Sequence, residues 1–361
     1  MNSASLQIKL KSLLVSCSLL LAGNLFAQQP DSWTPKASFP GIPRQDAACF
    51  AAGGKGYVVT GKDATGQDLN DAWSYDPTTD TWSQVAPFPG TARHGAVGFS
   101  IRDTGYVATG DDGINEQIDC WRYIPASNTW IQCQNIGAYR SGSFPGRSHA
   151  TAFTVNNFGY ITCGYDGSSG YIKQTLKYDA LDDTSWSLQR NFGNVSDLTL
   201  FGRRWGTSFN IGNSIYYGTG FTYSQDIKKD FWRFDPSLNS WIQLADFGGD
   251  IRSNAFGFSL YGKGYIGCGS NGSYNAEVWR YQPNTDSWTR INDFGGTARV
   301  NASCFVINNR AYVTGGMGAN GAVLNDLWEY TPDSTSGISD VDISSLQVTV
   351  QGNRLLISAG E

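Results

Sequence analysis

The sequence predicts an all-β fold, a six-bladed β-propeller of four-stranded antiparallel blades whose ring is closed by the N-terminal strand. Three observations predict it. Six arginines each precede a tyrosine at one fixed interval: Arg44–Tyr57, Arg93–Tyr106, Arg147–Tyr160, Arg203–Tyr216, Arg252–Tyr265 and Arg299–Tyr312. At a second fixed interval after each tyrosine comes a glycine: Gly61, Gly110, Gly164, Gly220, Gly269 and Gly316. The third observation is alternation around an aromatic pair, as in Trp73/Tyr75, Trp121/Tyr123, Leu176/Tyr178, Trp232/Phe234, Trp279/Tyr281 and Trp328/Tyr330. One supersecondary unit used six times accounts for all three.

The first unit shows how each strand is read. Ala47 to Phe50 is a short apolar stretch, and Gly56 to Gly61 is a β-rich run that stops at glycine. Asp71 to Pro77 alternates, Thr78-Thr79-Asp80 turns the chain, and Thr81 to Val85 returns. That is a meander of four short strands. One such sheet cannot bury aromatics on both faces, whereas six packed around an axis can. The returning tryptophans are Trp82, Trp130, Trp186, Trp241 and Trp288, and the sixth unit lacks one. Trp33 supplies it from the other end of the propeller, since it precedes Arg44 by the same interval at which Trp82 precedes Arg93. An N-terminal strand that completes the last blade leaves no open edge.

Four regions divide the chain. Residues 1–27 read as a signal peptide, with Lys9 and Lys11 before the apolar run Leu13–Ala22 and a small residue, Ala27, at the cleavage position. Residues 30–332 carry the repeats, 333–345 form a Ser/Asp-rich linker, and 346–361 form a β-tail with a turn at Gln351-Gly352-Asn353. Without the signal the chain holds 24 basic and 31 acidic residues, a net charge of −7. An acidic exported protein is a poor partner for nucleic acid. The signal run is too short to span a membrane, and the sequence contains no other apolar run of spanning length.

The repeats resemble the kelch family. The arginine before the inner strand, the glycine-ended second strand, the Trp-x-Tyr-x-Pro third strand and the following tryptophan match it, and the resemblance covers about residues 30–332. Only Gly315-Gly316 keeps the family's full glycine pair. The resemblance implies the propeller but no single activity. Kelch propellers include protein-binding modules, the core of galactose oxidase and exported sialic-acid epimerases. The tail resembles the opening hairpin of a C-terminal sorting domain of the kind Bacteroidota use for export, truncated at Glu361.

A residue repeated in every unit serves every unit, so Arg44, Arg93, Arg252 and Arg299 read as structural even though a ring of guanidiniums could bind a carboxylate. A ligand site should break the symmetry. The links Trp33–Arg44, Trp82–Arg93, Trp241–Arg252 and Trp288–Arg299 are all of one length, but Trp130–Arg147 and Trp186–Arg203 are both longer, and by the same amount. Longer loops on a rigid ring favour binding. These two carry Tyr139, Arg140, Phe144, Arg190 and Phe192. Beside them stand Arg147, His149, Arg203, Arg204 and Trp205, with Asp112, Tyr165 and Phe221 after the second-strand glycines. Aromatic rings beside Arg, Asp and His suit a sugar or an acidic peptide.

No metal or cofactor is expected. The chain has two histidines, and nothing in it matches the His, Tyr and Cys–Tyr set that copper needs in galactose oxidase. Asp111 to Glu116 lacks the regular spacing of a calcium loop. Aligning a hairpin on Pro125–Asn128 sets Cys120 opposite Cys133, and in an exported protein this predicts a disulfide. The functional expectation is a secreted or cell-surface, monomeric module that binds a carbohydrate or a protein. A periplasmic location would use the same signal. The alternative is a sialic-acid epimerase or mutarotase-like enzyme in which Arg147, Arg203 or Arg204 holds the sugar carboxylate and Asp112 or His149 moves the proton.

Overall fold

A computed structural model describes residues 31–136, 144–168, 170–181, 186–193 and 202–332, together with the backbone of 346–351 and 354–359. Six four-stranded antiparallel sheets follow one another along the chain. Blade 1 comprises Ala48–Ala52, Lys55–Val59, Ala72–Asp76 and Thr81–Val85. Blade 2 comprises Val97–Ile101, Thr104–Ala108, Cys120–Ile124 and Thr129–Gln132. Blade 3 comprises Thr151–Val155, Phe158–Thr162, Thr175–Asp179 and Trp186–Leu188. Blade 4 comprises Thr207–Ile211, Ser214–Gly218, Phe231–Asp235 and Ser240–Leu244. Blade 5 comprises Phe256–Leu260, Lys263–Gly267, Val278–Gln282 and Ser287–Arg290. Blade 6 comprises Ser303–Ile307, Arg310–Thr314 and Leu327–Thr331, and its outermost strand is Ser32–Lys36 from the N-terminal side. The ring therefore closes as the sequence predicts.

The first strands of the blades neighbour one another in a closed circle. They bury alternate residues, while the second strands are buried along nearly their whole length. The core consequently lies between blades, where each first-strand phenylalanine stacks on the second-strand tyrosine of its own sheet. Phe50–Tyr57 and Phe258–Tyr265 have centroids 4.8 Å and 4.7 Å apart. Such rings supply most of the buried area per residue.

The repeated arginine and glycine form one latch. Each glycine has φ between 85° and 106°, a region that residues with a Cβ avoid. That bend turns its N–H to the carbonyl of the next blade's arginine, as in Gly61 to Arg93 at 2.8 Å and Gly316 to Arg44 at 2.9 Å. The guanidinium of each arginine, in turn, donates to the carbonyl just before its own blade's glycine, as in Arg44 Nη1 to Thr60 O at 2.9 Å.

The cysteine pairing is corrected. Cys120 and Cys133 do stand opposite each other, but the Cys133 N–H donates to the Cys120 carbonyl at 2.8 Å. This is a hydrogen-bonded pair, whose Cα atoms sit wider than those of the alternate pair, and both residues remain thiols. The tail forms a hairpin of Leu346–Gln351 with Arg354–Ala359, with Gln351 opposite Arg354. The signal segment and the linker lie outside the described residues.

Candidate functional site at the channel mouth

Two positions beyond each repeated arginine the chain adopts a left-handed conformation. Asp46, Gly95, His149, Trp205, Asn254 and Asn301 have φ between 51° and 60°. In that conformation each N–H reaches the carbonyl of the equivalent residue in the preceding blade, at 2.8–3.1 Å. The six bonds run Asp46 to Asn301, Gly95 to Asp46, His149 to Gly95, Trp205 to His149, Asn254 to Trp205 and Asn301 to Asn254. They close a main-chain circle around the channel. Five of these residues point side chains into a cavity of about 160 Å³ that the ring lines. Gly95 leaves the space that His149 fills, since a Cβ there would meet His149 Nε2 at 2.9 Å.

Two of the six ring residues are amides. Asn254 Nδ2 donates to Asn301 Oδ1 at 2.5 Å, and Asn301 Nδ2 donates to Asp46 Oδ2 at 3.0 Å. Beside Gly95, the other three carry titratable or aromatic groups. Burial pushes the Asp46 carboxyl up to about 7, against the opposing pull of Lys62 and Arg204, while Asp68 raises it further. Burial drives the His149 imidazolium down to about 3, helped by His94, Arg204 and Lys62. Neutral His149 contacts Ser148 Oγ through Nδ1 at 3.1 Å, and Ser148 Oγ donates to Glu116 Oε1 at 3.4 Å. That order makes Nδ1–H the donor and leaves the Nε2 lone pair facing Asp46 Oδ1 at 3.8 Å. His94, with its ring centroid 5.5 Å from that of His149, pairs Nδ1 with Asp68 Oδ1 at 2.8 Å and Nε2 with Lys62 Nζ at 3.0 Å. Both histidines of the chain therefore meet here from adjacent blades.

Arg204 stands beside this group. Its guanidinium lies 3.8 Å from the Trp205 ring centroid, 5.1 Å from Tyr165, 5.6 Å from Tyr171 and 5.7 Å from Phe221. Short bridges fix the cage: Arg203–Arg204 pairs with Phe221–Thr222, and Tyr165 pairs with both Ser148 and Tyr171. Among the described residues no carboxylate lies within ion-pair distance of Arg204, and its Nε is buried without a partner. Adjacent Arg203 is the opposite case, clasped by Asp230 at 2.7 and 2.9 Å and 1 % exposed. Trp205 adds strain, because a bulky residue at φ 58° costs about 1–2 kcal/mol that Asn or Gly would largely avoid.

Of the residues singled out from sequence, His149, Arg204, Trp205, Tyr165 and Phe221 converge at this mouth. Arg44, Arg93, Arg147, Arg203, Arg252 and Arg299 are at most 2 % exposed and lie within the blade structure, not along the cavity. Arg147 donates to Cys163 O and Gln174 Oε1. Asp112 caps its own loop through the Ile114 and Asn115 N–H groups. Phe144 and Phe192 are core, and Arg190 is exposed. Tyr139 and Arg140 fall outside the described residues. The sequence reading did not single out Asp46, Lys62, Asp68, His94, Tyr171, Asn254 or Asn301 as site residues.

The family model of the Kelch motif matches residues 43–89, which covers the first latch and all of blade 1. The solved structure of YjhT is similar over 90 % of this chain and 99 % of that one, with TM-score 0.66 and 16 % identity. The chain is a six-bladed β-propeller that carries a Kelch motif in its first unit. No curated protein matches it. The matched segment also contributes Asp46, Lys62 and Asp68 to the channel mouth.

Proposed function

We propose that this kelch propeller is an exported binding module whose ligand is a carbohydrate bearing a carboxylate. The observation that carries the reading is Arg204, a guanidinium with no carboxylate partner among the described residues, caged by four aromatic rings beside a cavity of about 160 Å³. A carboxylate can accept from guanidinium N–H groups while the sugar face lies against the rings. The strain held at Trp205 agrees with a ring selected for contact and not for backbone ease. The charge pattern at residues 1–27 supports export. The test is melting temperature against neutral sugars, sialic acids and uronic acids, because a ligand of the native state raises it by mass action. Acidic sugars should shift wild type and leave Arg204→Ala unmoved; equal shifts with neutral sugars would overturn the reading.

A second reading, a mutarotase-like sugar enzyme, is favoured by Asp46. A carboxyl that titrates near 7 facing a neutral imidazole supplies a proton donor and an acceptor in one pit. His149 Nε2 would take the proton of the anomeric hydroxyl while Asp46 protonates the ring oxygen. The ring C–O bond breaks to give the open carbonyl form, and reclosure on the other face returns both protons. Anomer exchange followed by NMR tests it, and a rate unchanged by Asp46→Asn would end it.

A further inference from the structure

We infer that the ligand is an acidic oligosaccharide, one unit placing its carboxylate at Arg204 while the next sugar ring stacks on a tyrosine shelf formed by Tyr171 and Tyr223. This inference rests on the binding reading above and extends it outward from the cavity. Tyr171 belongs to the cage, with its centroid 5.6 Å from the Arg204 guanidinium. From Tyr171 the aromatic surface continues to Tyr223, whose centroid is 6.1 Å away at an interplanar angle of 77°. Tyr223 is 62 % exposed, so most of its ring is uncovered. Aromatic rings thus run without a break from the half-buried guanidinium to the open surface of blades 3 and 4.

The shelf is held in place before anything binds. Tyr223 follows the Phe221–Thr222 bridge to Arg203–Arg204. The turn beneath it is tied by Gln225 N–H to Thr222 O and Thr222 N–H to Asp226 O, both at 3.0 Å, and by Ser224 Oγ to Asp226 Oδ2 at 2.7 Å. A fixed, exposed aromatic ring loses little freedom on stacking, which favours binding. Sugars suit it, because their C–H faces pack on rings while their hydroxyls stay solvated. Charge sets the direction of the chain. The cation lies in the cage, so the acidic unit goes inward, and a cavity of about 160 Å³ leaves the neighbouring unit outside on the shelf.

The experiment compares pairs that carry one carboxylate each: glucuronic acid with glucuronosyl-xylose, and N-acetylneuraminic acid with sialyl-lactose. Titration calorimetry on the mature chain should show at least one of the larger ligands binding roughly tenfold tighter than its monosaccharide. Tyr223→Ala should bring that ligand down to the monosaccharide's affinity and leave the monosaccharide unchanged. Arg204→Ala should abolish both. Equal affinities within each pair, or a Tyr223→Ala loss shared by the monosaccharide, would overturn the shelf and leave the Arg204 site standing. Absence of binding by every acidic sugar would overturn the site and the shelf together. Tighter binding of a poly-glutamate peptide would replace the oligosaccharide with an acidic protein.

Discussion

Blade 6 and blade 3 hold the same arginine in different ways. In blade 6 the Arg299 guanidinium grips both oxygens of Asp326 at 2.6 and 2.7 Å, lies 4.7 Å from the Phe294 ring, and shares Asp326 with the Trp328 indole N–H. Blades 1, 2, 4 and 5 repeat this clamp with Asp71, Asp119, Asp230 and Glu277. Blade 3 keeps the carbonyl bond, to Cys163, and has replaced the other three partners. Gln174 stands for the acid, Leu176 for the tryptophan, and Ile136 for the phenylalanine. Burial, with no carboxylate paired to it among the described residues, pulls Arg147 down to about 10. Blade 3 also lies between the two long loops and lends His149, Tyr165 and Tyr171 to the channel mouth. The comparison teaches that five clamped blades hold the ring well enough for blade 3 to diverge where the channel-mouth groups gather.

The sharpest way to break the comparison is to remove both arginines in turn. Arg299→Ala leaves half-buried Asp326 without its guanidinium and should cost about 2–3 kcal/mol in denaturant unfolding, more than the same change in blade 3. Arg147→Ala strands no carboxylate and should cost about 1–3 kcal/mol. Equal losses would mean that the clamp contributes nothing beyond the shared carbonyl bond. A smaller effect sharpens the comparison from the other side. Gln174→Glu restores an acid to blade 3 and should raise stability by about 1–2 kcal/mol; a loss would show that the surroundings of Arg147 have adapted to a neutral partner.

A separate effect is a change with pH. The stability that protonated Asp46 contributes is complete below its ordinary carboxylate value of 3.8 and is lost as pH rises through about 7. His149 acts oppositely, contributing fully above 6.5 and losing that contribution as pH falls toward about 3. Asp46→Asn removes only the first dependence. Its melting temperature should therefore gain on wild type between pH 5 and pH 8, and a constant gap would refute the raised carboxyl.

The repeat, the strand boundaries and the closing role of Trp33 were legible because each is written in local order. A glycine that ends a β-rich run, an aromatic pair at alternate positions and a turn after Asp-Pro need no distant partner to be recognised. Long-range pairing was harder. The register that sets Cys120 opposite Cys133 was readable, but not which kind of antiparallel pair they form, because hydrogen-bond phase depends on the neighbouring strands. His149, Arg204 and Trp205 stood out by departing from their repeats. Lys62, Asp68 and His94 did not, since each is an ordinary polar residue until its neighbours are known.

The sequence by itself determined six units, their strands and the strand that closes the ring, since these follow from spacing and side-chain alternation inside a single repeat. The tertiary structure decided the site. Residues as far apart as Asp46 and Asn301 meet only when the blades close, and Asp46 titrates near 7 only because that closure takes its carboxyl out of water. The same closure parts neighbours: Arg203 turns inward to Asp230 and Arg204 turns to the rings, because successive residues of an extended chain point to opposite sides.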